Sequence, residues 1–171
     1  QRPYGLLMNT RFENLSHALV ERYFQICLFY GIYPSMFSHN AATDRYWDNP
    51  ALYERDRPLF RRYIPLVRRL SAAGWQPVTH AWTSNSHVYV ERFGTWPDLL
   101  LTLRNVQDEP ASVTLTIDAQ ALGLPATPIA VQALVSGSSH PLSAPGPRRT
   151  LTVTLAPQSS EVLALAADAA R

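Results

Sequence analysis

The sequence predicts an α+β fold in which a short βαβα segment is followed by an antiparallel all-β sandwich. Three observations predict it. Apolar residues recur at three- and four-residue steps before Trp75 and in short, strand-like runs after it. Two strand-then-helix units fit into the first part, the repeat of parallel α/β folds. Turn-forming clusters then separate the later runs at regular intervals, as in a sandwich. The predicted boundary leaves residues 1–75 in the first part and 76–171 in the second.

Gly5-Leu6-Leu7-Met8, ending in Asn9-Thr10, reads as a buried strand of the parallel type. Asn14 offers a cap for a helix whose stripe is Leu15, Leu19, Tyr23, Ile26 and Tyr30, widened by Ala18, Cys27 and Phe29 and stopped at Gly31. Ile32 to Ser38 is too short and aromatic for a helix and fits a second strand despite Pro34. His39 to Pro50 is polar and reads as a loop. Asp56 or Arg57 caps a second helix with Pro58 in its first turn and a stripe of Leu59, Phe60, Tyr63, Val67 and Leu70 up to Gly74, kinked by Pro65. Two such units cannot close a sheet. A (β/α)8 barrel needs about 250 residues, so the segment is a partial barrel, or else it packs on the β region as an irregular cap.

Beyond Trp75 the strand-like runs are 77–82, 87–93, 99–104, 113–118, 129–134, 151–155 and 162–165, about seven strands with polar outer faces. Gly, Pro, Ser and Asn cluster between them.

Composition sets limits on function. The 171 residues are 46% hydrophobic, enough for a real core. All 15 basic residues are Arg, ten of them before residue 76 against six Asp or Glu, and five after it against seven. The basic excess lies on the second helix, interleaved with apolar residues, and reads as a solvated face; no nucleic-acid partner is predicted. No apolar run reaches membrane-span length. Cys27 is the only cysteine, which excludes an intrachain disulfide, and inside an apolar run it reads as a small buried hydrophobe.

The stretches YFQICLFYGIYPSMFS, RDRPLFRRYIPLVRRLSAAGWQPVTHA, and VYVERFG leading into LLLTLRN resemble the C-terminal end of bacterial glycoside hydrolases, over nearly the whole chain. The resemblance implies that Gly5–Met8 and Ile32–Met36 are barrel strands seven and eight and that Val78 opens the accessory sandwich. It implies a carbohydrate ligand through a parent protein whose remaining barrel lies upstream. Glycosidases generally use two carboxylates at the scissile bond, and barrel enzymes carry them at strand C-termini. Here the strand ends offer Asn9, Thr10, Ser38, His39 and Asn40, so no catalytic residue is assigned and the acid and base are expected upstream.

Candidate carbohydrate-binding residues are Asn9, His39, Asp44, Trp47 and Asp48, a Trp beside carboxylates being able to stack on a sugar ring and bind its hydroxyls. The plainer alternative is an ordinary loop whose Trp anchors it to the core. Trp75, Trp82, Trp96 and Tyr89 would make a carbohydrate platform if they shared an exposed face; burial between the two halves is the plainer expectation. Glu91 and Arg92 point to opposite faces of a strand. His80, His87 and Glu91 lack the spacing of a metal site, and no cofactor motif, GxSxG elbow or phosphate loop occurs. Beside the bracing tail of an enzyme, an independent carbohydrate-binding module and a structural or dimerisation domain, a homodimer covering the partial barrel's apolar edges, stay open.

Overall fold

The computed structural model describes residues 5–9, 15–37 and 45–167. The first part has the order β1 (Gly5–Asn9), α1 (His17–Tyr30), β2 (Tyr33–Phe37), α2 (Pro50–Ala73), with a single 3-10 turn at Tyr46–Asp48. β1 and β2 pair in parallel, Gly5 opposite Tyr33 and Asn9 opposite Phe37. The second part contains β3 (Trp75–Gln76), β4 (Ala81–Thr83), β5 (Val88–Phe93), β6 (Leu99–Asn105), β7 (Ala111–Asp118), β8 (Ile129–Ala133), β9 (Ser139–Pro141), β10 (Arg148–Leu155) and β11 (Ser160–Ala167). They form an antiparallel three-stranded sheet, β10-β7-β4, facing an antiparallel six-stranded sheet, β3-β5-β6-β11-β8-β9. The predicted α+β class, helices and strands followed by a sandwich, is the one observed.

Several predicted boundaries move, each for a local reason. The cap of α1 is Ser16, whose hydroxyl accepts from the Leu19 amide, while the expected cap Asn14 lies outside the described residues. Gly31 ends α1 as expected, in the left-handed conformation at φ 62°, and its amide bonds the Leu28 carbonyl. A Cβ there would also meet the Phe93 ring at 2.5 Å. The buried side of α1 is Val20, Tyr23, Phe24, Cys27, Leu28 and Phe29, whereas Leu19 and Tyr30 are exposed. The helix is apolar on most of its circumference, so periodicity alone cannot choose the buried face. α2 begins a full two turns before the expected cap. Asn49 accepts from the Ala51 amide, Pro50 occupies the first turn, and both Pro58 and Pro65 lie inside the helix. The predicted strand at 77–82 is reduced to Ala81–Thr83, and the turn-rich 136–147 segment holds the short strand β9.

Two apolar clusters share one sheet. Leu99, Leu101 and Leu103 of β6 and Leu163 and Leu165 of β11 face Val113, Leu115, Ile117, Leu151 and Val153 inside the sandwich. The alternate residues, Leu100, Val162 and Ala164, join Phe93 in a second cluster with Tyr23, Phe24, Leu28, Tyr63, Val67 and Leu70 of the helices. Every residue of β6 is therefore buried, unlike β7, β8 and β10, whose buried and outward residues alternate. A strand covered on both faces must satisfy any polar side chain internally. Thr102 Oγ1 accordingly donates to the Phe29 carbonyl at 2.7 Å, and Arg104 donates to Ser160 Oγ at 3.2 Å.

Gln25 ties the layers together. Its Oε1 accepts from the Ser160 amide at 2.7 Å, its carbonyl accepts from Ser160 Oγ at 2.8 Å, and its Nε2 donates to Tyr63 Oη at 2.6 Å. Replacing it with an apolar side chain strands the buried Ser160 N–H and removes one of the two partners of the Tyr63 hydroxyl, which keeps its bond to Glu21. Gln25→Leu should lower the unfolding free energy by about 2–4 kcal/mol, read from urea unfolding by circular dichroism. Cys27 is fully buried, and burial pushes its thiol up to about 12. Ellman's reagent should leave it unmodified in the native chain and titrate one thiol in urea; modification at the rate of a free thiol in buffer would contradict this placement.

Candidate functional site

β1 and β2 run parallel, so the chain leaves both at the same end of the pair, where the two candidate segments begin. Asn9 is the last residue of β1, and its side chain lies outside the description; His39 and Asp44 lie outside the described residues altogether. Trp47 and Asp48 lie in the 3-10 turn that leads into α2. The turn is anchored by Tyr46, which is 1% exposed, while Trp47 is 56% exposed. The anchor expected of Trp47 is thus its neighbour.

Trp47 stacks edge-on to Tyr46, with centroids 4.9 Å apart, and at a tilt over Phe60 at 5.3 Å. Together with Tyr53 and Arg57 these rings enclose an open cleft of about 380 Å³ lined by Trp47, Tyr53, Arg57 and Phe60. Tyr53, Arg57 and Phe60 are spaced four and three residues apart on α2, so they form one face of the helix. The Arg57 guanidinium lies 5.9 Å from the Tyr53 ring and is paired with Glu54. Asp48 pairs with Arg45 at 3.8 Å across open surface. The cleft therefore offers flat aromatic walls and the Arg57 cation, itself paired with Glu54. Phe60, a member of the apolar stripe predicted for α2, is half-buried and shared between core and cleft.

Beneath the turn lies a charged cluster that sequence reasoning missed. Asp56, with Arg57 one of the two expected caps of α2, lies instead in its second turn and is fully buried. Its carboxylate accepts from Arg55 Nε at 2.7 Å and Arg55 Nη2 at 2.8 Å, from Tyr46 Oη at 3.0 Å, and pairs with His17 Nδ1 at 3.3 Å. Arg55 also donates to the Leu15 carbonyl at 2.9 Å. One carboxylate thus joins the start of α1, the 3-10 turn and α2. Burial alone pushes the Asp56 carboxyl up; the hydrogen bonds from Arg55, Tyr46 and His17, with the Arg55 charge, outweigh it and hold the group below the usual carboxylate range. All its neighbours are satisfied and it does not face the cleft residues, so its work is to hold the turn that carries Trp47.

The remaining candidates are scattered. Trp82 is exposed on the three-stranded sheet under Arg148, 5.5 Å from its ring, whereas Trp75 and Tyr89 are exposed on the six-stranded sheet and Trp96 packs against the sandwich core. Burial of these aromatics between the halves, the plainer expectation, is not what three of them show. Among the described residues no group of three His, Cys, Asp or Glu side chains could hold a metal ion, and no helix is long and apolar enough to cross a membrane.

Because the folded state holds Asp56 ionised, the stability it contributes is fully present above the unfolded carboxyl value of about 3.9 and is lost as the pH falls through the lower folded value. Asp56→Asn should cost about 3 kcal/mol at neutral pH by leaving Arg55 without its charge partner, and thermal melts between about pH 5 and pH 2 should fall less steeply for the variant than for the wild type.

No protein-family model and no curated protein sequence matches the chain. Solved structures do. A GH27 β-L-arabinopyranosidase from Geobacillus stearothermophilus superposes with a TM-score of 0.55 at 10% identity, covering 92% of this chain and 32% of that one. α-Galactosidase I from Mortierella vinacea superposes with a TM-score of 0.53 at 14% identity, covering 91% of this chain and 37% of that one. The sequence resemblance to glycoside hydrolases holds at the level of the fold, and the chain spans about a third of the length of these structures.

Proposed function

We propose that the chain is the non-catalytic end portion of a glycoside hydrolase-like protein, in which β1-α1-β2-α2 belongs to a (β/α)8 barrel and the sandwich braces it. The observation that carries this reading is the shared cluster in which α1 and α2 pack on the outer face of β5, β6 and β11. A module joined only by a linker would not merge its core with the helices of its neighbour. The parallel β1–β2 pair and the fold likeness support the same reading.

In this arrangement the loops after β1 and β2 lie on the face where barrel enzymes bind their substrates. Trp47 stacks on a sugar ring there and Asp48 accepts from its hydroxyls, and in this reading Asn9, His39 and Asp44 are further sugar-binding residues. The paired carboxylates of glycoside hydrolysis belong to the rest of the barrel, which is also the partner that covers β1 and β2.

The chain alone should therefore release no nitrophenol above buffer from p-nitrophenyl α-D-galactopyranoside or p-nitrophenyl β-L-arabinopyranoside; turnover by the purified chain would overturn the non-catalytic assignment. In the complete protein, Trp47→Ala should raise KM about three- to tenfold with kcat little changed, the mark of lost stacking shared by ground and transition states.

A further inference from the structure

The helix layer does not cover the whole outer face of the six-stranded sheet. In β5, Phe93, Glu91 and Tyr89 point to the side on which α1 and α2 pack, because side chains alternate along a strand. Phe93 is 1% exposed beneath the helices, while Tyr89 at the far end is 49% exposed. Trp75 is the register partner of Phe93, so it projects from the same face, and it is 53% exposed. Its indole Nε1 donates to Glu91 Oε2 at 2.7 Å, which fixes the ring plane beside the strand. Glu91 Oε1 has no partner among the described residues. Thr102, opposite Glu91, bonds the Phe29 carbonyl, so α1 ends at this border and leaves half-exposed Tyr30 beside it.

We propose that Trp75, Glu91 and Tyr89 form a second carbohydrate-binding platform, on the sandwich and away from the barrel loops, that takes a pyranose unit of a neutral glycan chain. Tyr89 and Glu91 are two residues apart, about 7 Å along the strand, the breadth of one sugar ring. A ring laid on this surface presents its apolar face to the indole and phenol while a hydroxyl donates to Glu91 Oε1. Leaving two large aromatic side chains half in water forgoes favourable burial, and a sugar's C–H face recovers it while its rim stays hydrated. Arg104, opposite Tyr89 on β6, is buried and bonded to Ser160, so Glu91 is the charge beside the rings, and a lone carboxylate suits a neutral glycan better than an anionic one. The choice of carbohydrate as the ligand class rests on the glycoside hydrolase-like reading; the position of the platform does not.

Native gel electrophoresis of the chain in gels cast with galactomannan, arabinogalactan, xylan or heparin tests the platform. Retardation by at least one neutral polysaccharide is expected, weakened at least about tenfold by Trp75→Ala and by Tyr89→Ala, several-fold by Glu91→Gln, and unchanged by Trp82→Ala on the other sheet. Trp75→Phe should keep part of the binding and serves if the alanine variant melts early. Retardation by heparin alone, no retardation in any gel, or retardation lost in Trp47→Ala but kept in Trp75→Ala would each overturn the platform. The last result would leave the barrel-edge reading standing, and turnover of the aryl glycosides by the chain would overturn that reading without touching the platform. Sedimentation velocity supplies a further arm: a dimer that becomes monomeric in Tyr89→Ala would identify the patch as a contact between copies and overturn the sugar assignment.

Discussion

The structure depends on β6 and β11 being buried on both faces. A strand in an ordinary sandwich hides one row of side chains and wets the other, but Leu99, Leu101 and Leu103 fill the space between the sheets while Leu100 lies under the helices with Val162 and Ala164 of β11. Each buried Leu contributes on the order of 2 kcal/mol of transfer free energy, and here the contributions come from two cores joined through a single layer of backbone. Such a layer admits polar residues only with internal partners, which accounts for Thr102 on the Phe29 carbonyl, Arg104 on Ser160 and Gln25 on both Ser160 and Tyr63. Separating helices from sheet would expose apolar surface and break these bonds at the same time.

A second constraint acts at the other end of the helices. Asp56 is a buried charge, costly unless every lone pair is used, and its partners come from three different segments. The start of α1, the turn before α2 and α2 itself cannot move independently while that carboxylate stays ionised. The 3-10 turn carrying Trp47 is accordingly held by Tyr46 from below, through both a buried ring and a hydroxyl on Asp56. Aromatic walls on a fixed turn are suited to stacking, because little side-chain freedom remains to be lost on binding.

The two exposed aromatic surfaces are thus products of where packing stops. At the cleft, α2 uses Leu59, Tyr63, Val67 and Leu70 for the core and leaves Tyr53, Arg57 and Phe60 along its flank. On the sheet, the helix layer ends over Phe93 and Thr102 and leaves Glu91 and Tyr89 beyond its edge. Both arise from helices too narrow to cover everything apolar beneath and beside them.

Local chemistry determined much of this protein directly. Short apolar and alternating runs located seven of the sandwich strands within a few residues, missing only the short β3 and β9, Gly31 marked the end of α1, and the apolar stripe of α2 from Leu59 to Leu70 faces the core as its spacing requires. These features follow from side-chain periodicity and backbone sterics, which act within a few residues and are written in the order of the chain. Three things were decided only by the tertiary structure. The buried face of α1 was chosen by contact with α2 and the sheet, since its apolar residues, Leu19 and Tyr30 among them, extend past the face that is buried. The burial of Asp56 was decided by His17 and Tyr46, 39 and 10 residues away. The exposure of Trp75 and Tyr89 was decided by where α1 and α2 end on the sheet, a boundary between elements distant in sequence, which no local pattern of residues encodes.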